Sequence, residues 1–231
     1  MKNKEENKCM AKLILSCNFM GGDSYALVNN VEEYYNRLEA LLEDLKQGKG
    51  ESCNYLYFAF VSLASATLEY SLNFMLAVHC FIKYHVPMYE EHLQPFLDMK
   101  FASKIENTPK IISEGDYIVK RSAPTIQQLK ELVKKRHSLM HNSKAARVEK
   151  FSFPILGAEE TNGGIFIPQD TLNDNNTVEF SIDLKNNDIT WLSPEWCMRM
   201  GNAILVYRDC VVTPYLSTSG LVENELLEKN Q

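Results

Sequence analysis

Several chemistries are missing from this sequence. Its six cysteines (Cys9, Cys17, Cys53, Cys80, Cys197 and Cys210) form no C-x2-C pair and follow no regular spacing. Disulfide scaffolds belong to short, cysteine-dense secreted chains, so six scattered thiols in 231 residues are expected to be free, in a reducing compartment. No Gly-x-Ser-x-Gly, phosphate-cradling Gly-rich loop, dinucleotide fingerprint or zinc-ligand spacing occurs. Nucleophile-elbow hydrolases, P-loop NTPases, Rossmann dehydrogenases and zinc modules are thereby excluded, and neither a metal nor a cofactor is expected. Long apolar runs are also wanting. The chain opens Met1-Lys2-Asn3-Lys4-Glu5-Glu6, and the run Ala11-Lys12-Leu13-Ile14-Leu15 is shorter than the ~7–15 apolar residues of a secretory signal. No stretch is read as the ~20 apolar residues that span a bilayer, so a cytoplasmic chain without membrane contact is expected.

Hydrophobic residues make up 45% of the chain and charged residues 23%, enough for one large domain with a buried core. Residues 1–22 read as a loosely ordered segment ending in Gly21-Gly22. Residues 23–216 read as the helical domain. Asn29-Asn30 can cap a first helix, in which Tyr34, Leu38, Leu41, Leu42 and Leu45 share a face. From Glu51 to His85 neither Pro nor Gly interrupts a segment rich in Tyr, Phe, Leu, Ala and Met, the composition of a long helix buried on most sides. Pro87 stops it, and a shorter helix interrupted by Pro95 follows to about Ile105. Residues 107–123 read as a connector, and Pro124 suits the first turn of a helix running to about Ala146.

Beyond Gly157 the period changes. Ile165-Phe166-Ile167, the alternating run 178–184 and Ile189-Thr190-Trp191-Leu192 predict a small β-meander at about 160–192. A last helix starts at Ser193 as cap with Pro194 in its first turn and continues to about Val212, while residues 217–231 read as a solvated tail. The fold class is mainly α, an up-and-down helical bundle with a β-meander inserted before the final helix.

Charge is uneven. Residues 120–150 hold nine basic side chains against Glu131 and Glu149, a net of +7 in a chain whose total is −6. A basic helix in an acidic protein suggests an anionic partner, phosphate first; the plainer alternative is a solvated face, or one paired with acidic helices of the same chain. On the helix from Pro124, the residues Leu129, Leu132, Val133, Arg136 and Met140 fall along one stripe. Arg136 therefore interrupts an apolar seam and needs an anion beside it. His137 and His141 are four apart, and Arg136 and His141 are about 140° apart around the axis and ~7.5 Å along it, within reach of one phosphate. Imidazole titrates near neutrality and can move a ribose 2′-OH proton, while guanidinium stabilises charge developing on phosphate. Histidines at this spacing are also ordinary polar surface.

The segment Arg136-His137-Ser138-Leu139-Met140-His141-Asn142 resembles the signature of the HEPN superfamily, Arg-x4–6-His with a polar residue directly after the arginine. Glu69-x3-Asn73 resembles the polar face of that family's earlier long helix. The resemblance covers roughly residues 25–215, and its specific part is about seven residues. It implies a HEPN-like bundle that dimerises with two motif helices facing across a cleft. In active members it implies metal-independent endoribonucleases, typical of toxins and antiviral effectors. Carried over, Arg136 and His141 would be catalytic, and His137, Asn142, Glu69 and Asn73 supporting, with Lys134, Lys135, Lys144 and Arg147 contacting nucleic acid. A homodimer, RNA or a nucleotide, and an antitoxin or other protein are the partners implied. The alternatives are a catalytically silent module of the same fold that binds RNA, a nucleotide or a protein partner, or an interaction protein in which Arg136 pairs internally with Glu69.

Overall fold

The computed structural model describes residues 12–16, 25–48, 55–84, 88–140, 159–161, 164–166, 191–217 and 220–230. It is mainly helical, as the sequence pattern predicts. Residue contacts divide the chain into two units, Met1–His141 with Trp191–Gln231, and Asn142–Thr190.

In the larger unit, β1 (Lys12–Ser16) and β2 (Tyr25–Asn29) form an antiparallel hairpin, with Leu13 opposite Val28 and Leu15 opposite Ala26. The expectation of a loosely ordered segment up to residue 22 is corrected over 12–16. Leu13-Ile14-Leu15 is too short an apolar run to distinguish strand from helix by period, and it takes its state from pairing with 25–29. The hairpin leads directly into α1 (Val31–Lys46), where Asn29 Oδ1 accepts the Val31 N–H at 2.9 Å. Asn29, not the adjacent Asn30, thus satisfies one of the helix's orphan donors.

The central helix is α2 (Tyr55–Lys83), packed by α1, α3, α4, α5 and α6. Phe60, Val61, Ala64, Leu68, Leu72, Met75 and Leu76 are completely buried along it. Contrary to the sequence expectation, α2 is long and apolar enough to cross a membrane by length and composition. However, 61% of its most apolar window is buried inside the bundle, which explains that composition as core packing.

α3 (Tyr89–Leu97) and α4 (Phe101–Ile112) replace the single Pro95-interrupted helix and part of the expected connector. The break falls at 98–100, and Pro109 lies inside α4. Phe101, Ile105, Thr108, Pro109 and Ile112 are all buried on one face of α4. A buried stripe of that width offsets the ~3 kcal/mol that an interior proline costs a helix. α4 closes with Glu114 and Gly115 in the left-handed region (φ 54° and 103°), and the Gly115 N–H reaches the Lys110 carbonyl at 2.8 Å.

β3 (Tyr117–Val119) follows and leads to α5 (Pro124–Met140); residues 141–146 of the expected helix lie outside the described residues. The smaller unit contributes a two-stranded hairpin, β4 (Glu159–Thr161) with β5 (Gly164–Phe166), inside the expected insertion. The runs expected as strands at 178–184 and 189–190 lie outside the described residues, and Trp191-Leu192 are not strand.

α6 (Pro194–Tyr207) begins as expected, with Ser193 Oγ accepting the Trp196 N–H at 3.2 Å and Pro194 in the first turn. It runs on through a π-helical stretch, Arg208–Val212, into α7 (Thr213–Leu216). The reading of 217–231 as a solvated tail is corrected. β6 (Leu227–Lys229) pairs antiparallel with β3, Val119 opposite Leu227, and Leu226 and Leu227 are buried. Asn224 makes the turn that brings them back, its Oδ1 accepting the N–H groups of Leu226 and Leu227 at 2.8 and 3.0 Å.

Candidate functional site

Ile126, Leu129 and Leu132 bury the apolar face of α5 completely, and Val133 is half-buried. One turn beyond Leu132 that face emerges at Arg136, whose side chain is 33% exposed. Its Nη1 stands 3.5 Å from Glu69 Oε2 on α2, and its guanidinium carbon lies 5.6 Å from the centre of the Phe101 ring on α4. Arg136 therefore finds the anion that its place in the seam demands, together with the face of an aromatic ring.

One turn along α2 from Glu69, Asn73 Oδ1 accepts a hydrogen bond of 2.8 Å from Lys104 Nζ on α4. Lys104 is only 3% exposed. Burial pulls its ammonium below the usual lysine range, against the opposing fields of Glu69 and Asp98. The sequence-predicted residues Arg136, Glu69 and Asn73 are thus brought together where α2, α4 and α5 meet. Phe101 and Lys104 were missed by the sequence reading. The signal that would have found Lys104 is the one that found Arg136, a charge set within an apolar stripe, here Phe101, Ile105, Thr108 and Ile112.

The other basic residues separate into two groups. Arg121 and Lys130 both pair with Glu106 on α4, Arg121 at 3.4 Å, and Lys120 Nζ donates to the Asn224 carbonyl at 2.6 Å. Hydrogen bonding to Lys130 holds the Glu106 carboxyl below the usual carboxylate range. For Arg121 and Lys130 the plainer alternative holds, a basic face paired with an acidic helix of the same chain, and Lys120 ties down the C-terminal turn. Lys134 and His137 are exposed, and Lys135 is half-buried with its Nζ 4.6 Å above the Trp191 ring. Among the described residues the cationic surface near Arg136 narrows to Lys134, Lys135 and Arg136. On the neighbouring face Glu131 accepts from Trp196 Nε1 at 2.8 Å and pairs with Arg199 at 3.3 Å, tying α5 to α6.

His141, Asn142, Lys144 and Arg147 lie outside the described residues. No group of three or more His, Cys, Asp or Glu that could hold a metal ion occurs among the described residues. Hollows of about 700, 350 and 380 Å³ open on the surface, and Arg136, Glu69 and Lys104 line none of these three. Cys80 and Cys197 are free and buried, and Cys210 is free and half-buried. Burial pushes the Cys197 thiol up to about 12 and that of Cys210 to about 11, the reverse of a thiol prepared for nucleophilic attack.

Compared with family models, with curated proteins and with solved structures, the chain matches none.

Proposed function

We propose that this bundle is a metal-independent endoribonuclease of HEPN type, acting in the cytoplasm at the cleft of a homodimer through Arg136 and His141. The observation that carries the reading is the setting of Arg136. Glu69 and Phe101 hold its guanidinium at the end of an apolar helix face, and a third of the side chain remains open to solvent. A guanidinium fixed in this way keeps its planar donor fork for the non-bridging oxygens of a phosphodiester. In this mechanism the ribose 2′-oxygen attacks phosphorus and the bond to the 5′-oxygen breaks. His141 moves one of the protons involved, and Arg136 neutralises the charge gathering on phosphate. Lys134, Lys135, Lys144 and Arg147 contact the flanking backbone, and an antitoxin or other protein restrains the activity.

The test is cleavage of single-stranded RNA in EDTA, with a 2′,3′-cyclic phosphate as product. Loss of a positioned acid–base group lowers rate by ~10²–10⁴-fold, so His141→Ala nearly abolishes cleavage while the helical content persists. Cleavage that requires added metal, or an unaffected His141→Ala protein, overturns the mechanism.

One observation favours a second reading, the interaction protein in which Arg136 pairs internally: Arg136 already has an internal anion in Glu69. Inactivity against a broad RNA panel, together with no RNA or nucleotide binding that Arg136→Ala weakens, selects it.

A further inference from the structure

The chain's two tryptophans lie together where α6 packs on α5, and they differ in setting. Trp196 is buried, with Nε1 donating to Glu131 Oε1 on α5 at 2.8 Å. Trp191 is half-buried just ahead of α6 and rests on Trp196, ring centres 4.6 Å apart and planes at 69°. Lys135 follows Glu131 by one turn of α5, so it reaches the same pair, and its Nζ stands 4.6 Å over the Trp191 ring. Arg136 is the next residue, its Cα about 3.8 Å from that of Lys135. A partly exposed indole, held from the core side, is thus covered by a flexible ammonium beside a guanidinium. Proteins grip single-stranded nucleic acid with this combination, aromatic rings taking the bases while cations track the backbone. The charge agrees. Among the described residues here, Lys134, Lys135, Arg136 and Arg199 are positive, and Glu69 and Glu131 offset two of them. Behind them Asp98 and the buried Lys104 cancel, so the face keeps a net +2.

We propose that Trp191 is a platform for one unpaired base of an RNA strand whose phosphate lies at Arg136, with Lys135 as a cover that the base displaces. A cation–π contact at a partly exposed site is weaker than the stacking of a whole base on an aromatic ring, so the base wins the face. The freed ammonium then meets the strand's backbone from the same turn of α5. Every base has a π-face, so the platform tolerates sequence, but it demands a base that is not held in a duplex. Trp191 therefore makes the site selective for single strands. This assignment rests on the ribonuclease reading for RNA as the ligand, and its test reads binding instead of cleavage.

The probe is a short 2′-O-methyl oligoadenylate, which lacks the attacking hydroxyl, set against an abasic strand of the same length that keeps every phosphate. Oligoadenylate quenches the intrinsic tryptophan fluorescence of the natural protein. In Trp191→Phe, where buried Trp196 is the remaining tryptophan, the quench is lost. From the strength of base–aromatic stacking, Trp191→Ala weakens oligoadenylate binding about tenfold, and Trp191→Phe restores most of that loss. The abasic strand, held by charge alone, binds the natural protein and Trp191→Ala equally. A quench that persists in Trp191→Phe places the base elsewhere and overturns the platform. A Trp191→Ala loss of equal size on both strands makes Trp191 a packing residue and overturns it too. A natural protein that cuts RNA in EDTA but gives either of those results keeps the ribonuclease reading and loses the platform. One that shows the base-dependent quench but cuts no RNA loses the ribonuclease reading, becomes the silent RNA-binding module and keeps the platform. A protein that binds neither strand overturns both.

Discussion

Arg136 on α5 and Glu69 on α2 meet at 3.5 Å with side chains 33% and 31% exposed, an ion pair set where the apolar seam of the bundle opens to solvent. Water reaches both partners, so screening limits the pair to ~1 kcal/mol or less of stability. Glu69→Gln and Arg136→Ala should therefore each lower the free energy of unfolding by no more than about 1 kcal/mol. Urea denaturation followed by circular dichroism measures this. A loss of several kcal/mol in Arg136→Ala, without any effect on RNA cleavage or binding, identifies the pair as a structural strut and removes Arg136 from the site.

The contact between α1 and α6 gives a stricter test of packing. A Cβ built on Gly201 stands 2.5 and 2.7 Å from the two terminal carbons of Leu42, which is itself buried. Alanine favours helix over glycine by up to ~1 kcal/mol, but forcing Leu42 aside in a packed core costs ~1–3 kcal/mol. Gly201→Ala is therefore expected to lower the urea midpoint. Combining it with Leu42→Ala, which removes the clashing atoms, should cost less than the two single substitutions added together. Additive losses in that double-mutant cycle would mean that the helices do not approach so closely.

His79 on α2 is half-buried, and burial, followed by the Lys83 charge, holds its imidazole below the usual value near 6.5. The unfolded chain therefore takes up a proton at His79 before the folded protein does. Above about pH 6.5 the group is neutral in both states and exerts no pull. As pH falls from 6.5 toward the lower folded value, stability is lost. The Glu106 and Glu114 carboxyls, both depressed by lysine partners, titrate below 4.5 and leave this window clear. Urea midpoints between pH 7 and 5 should fall in the natural protein and flatten in His79→Gln. A flat profile in both proteins contradicts the assignment.

What the sequence discloses depends on how local the cause is. α2 is legible from composition because most of it is buried, and the start of α6 is legible because Ser193 and Pro194 act within one turn. The run of α4 through Pro109 is not, since proline normally ends a helix and a buried stripe against other helices overrides it. The same divide runs through the candidate site. Arg136 stands out as a charge in an apolar line on one helix, whereas Lys104 gains its meaning from Asn73 and Glu69 on another. Charge counting over 120–150 also overstates the uncompensated basic field, because Arg121 and Lys130 pair with Glu106.

The C-terminal strand yields the last test, because sequence reasoning and structure disagree there outright. A solvated tail tolerates any substitution, but Leu227 is fully buried and Leu226 nearly so, and β6 supplies β3 with its partner. The segment is fastened at several points: Asn224 caps the turn, Lys120 Nζ holds the Asn224 carbonyl at 2.6 Å, and the Asn230 N–H reaches the Asp116 carbonyl at 2.9 Å. Leu227→Ala leaves a cavity beneath these ties, and truncating a buried leucine costs ~2–5 kcal/mol. That exceeds the effect expected for Arg136→Ala, although the strand lies far from any catalytic assignment in sequence. Asn224→Ala should cost less, on the order of 1–3 kcal/mol, since it leaves two backbone donors without their acceptor but removes no apolar volume. Urea midpoints that rank Leu227→Ala below Asn224→Ala, and both below the natural protein, support a strand built into the core. Midpoints unchanged in both variants would return residues 220–230 to solvent.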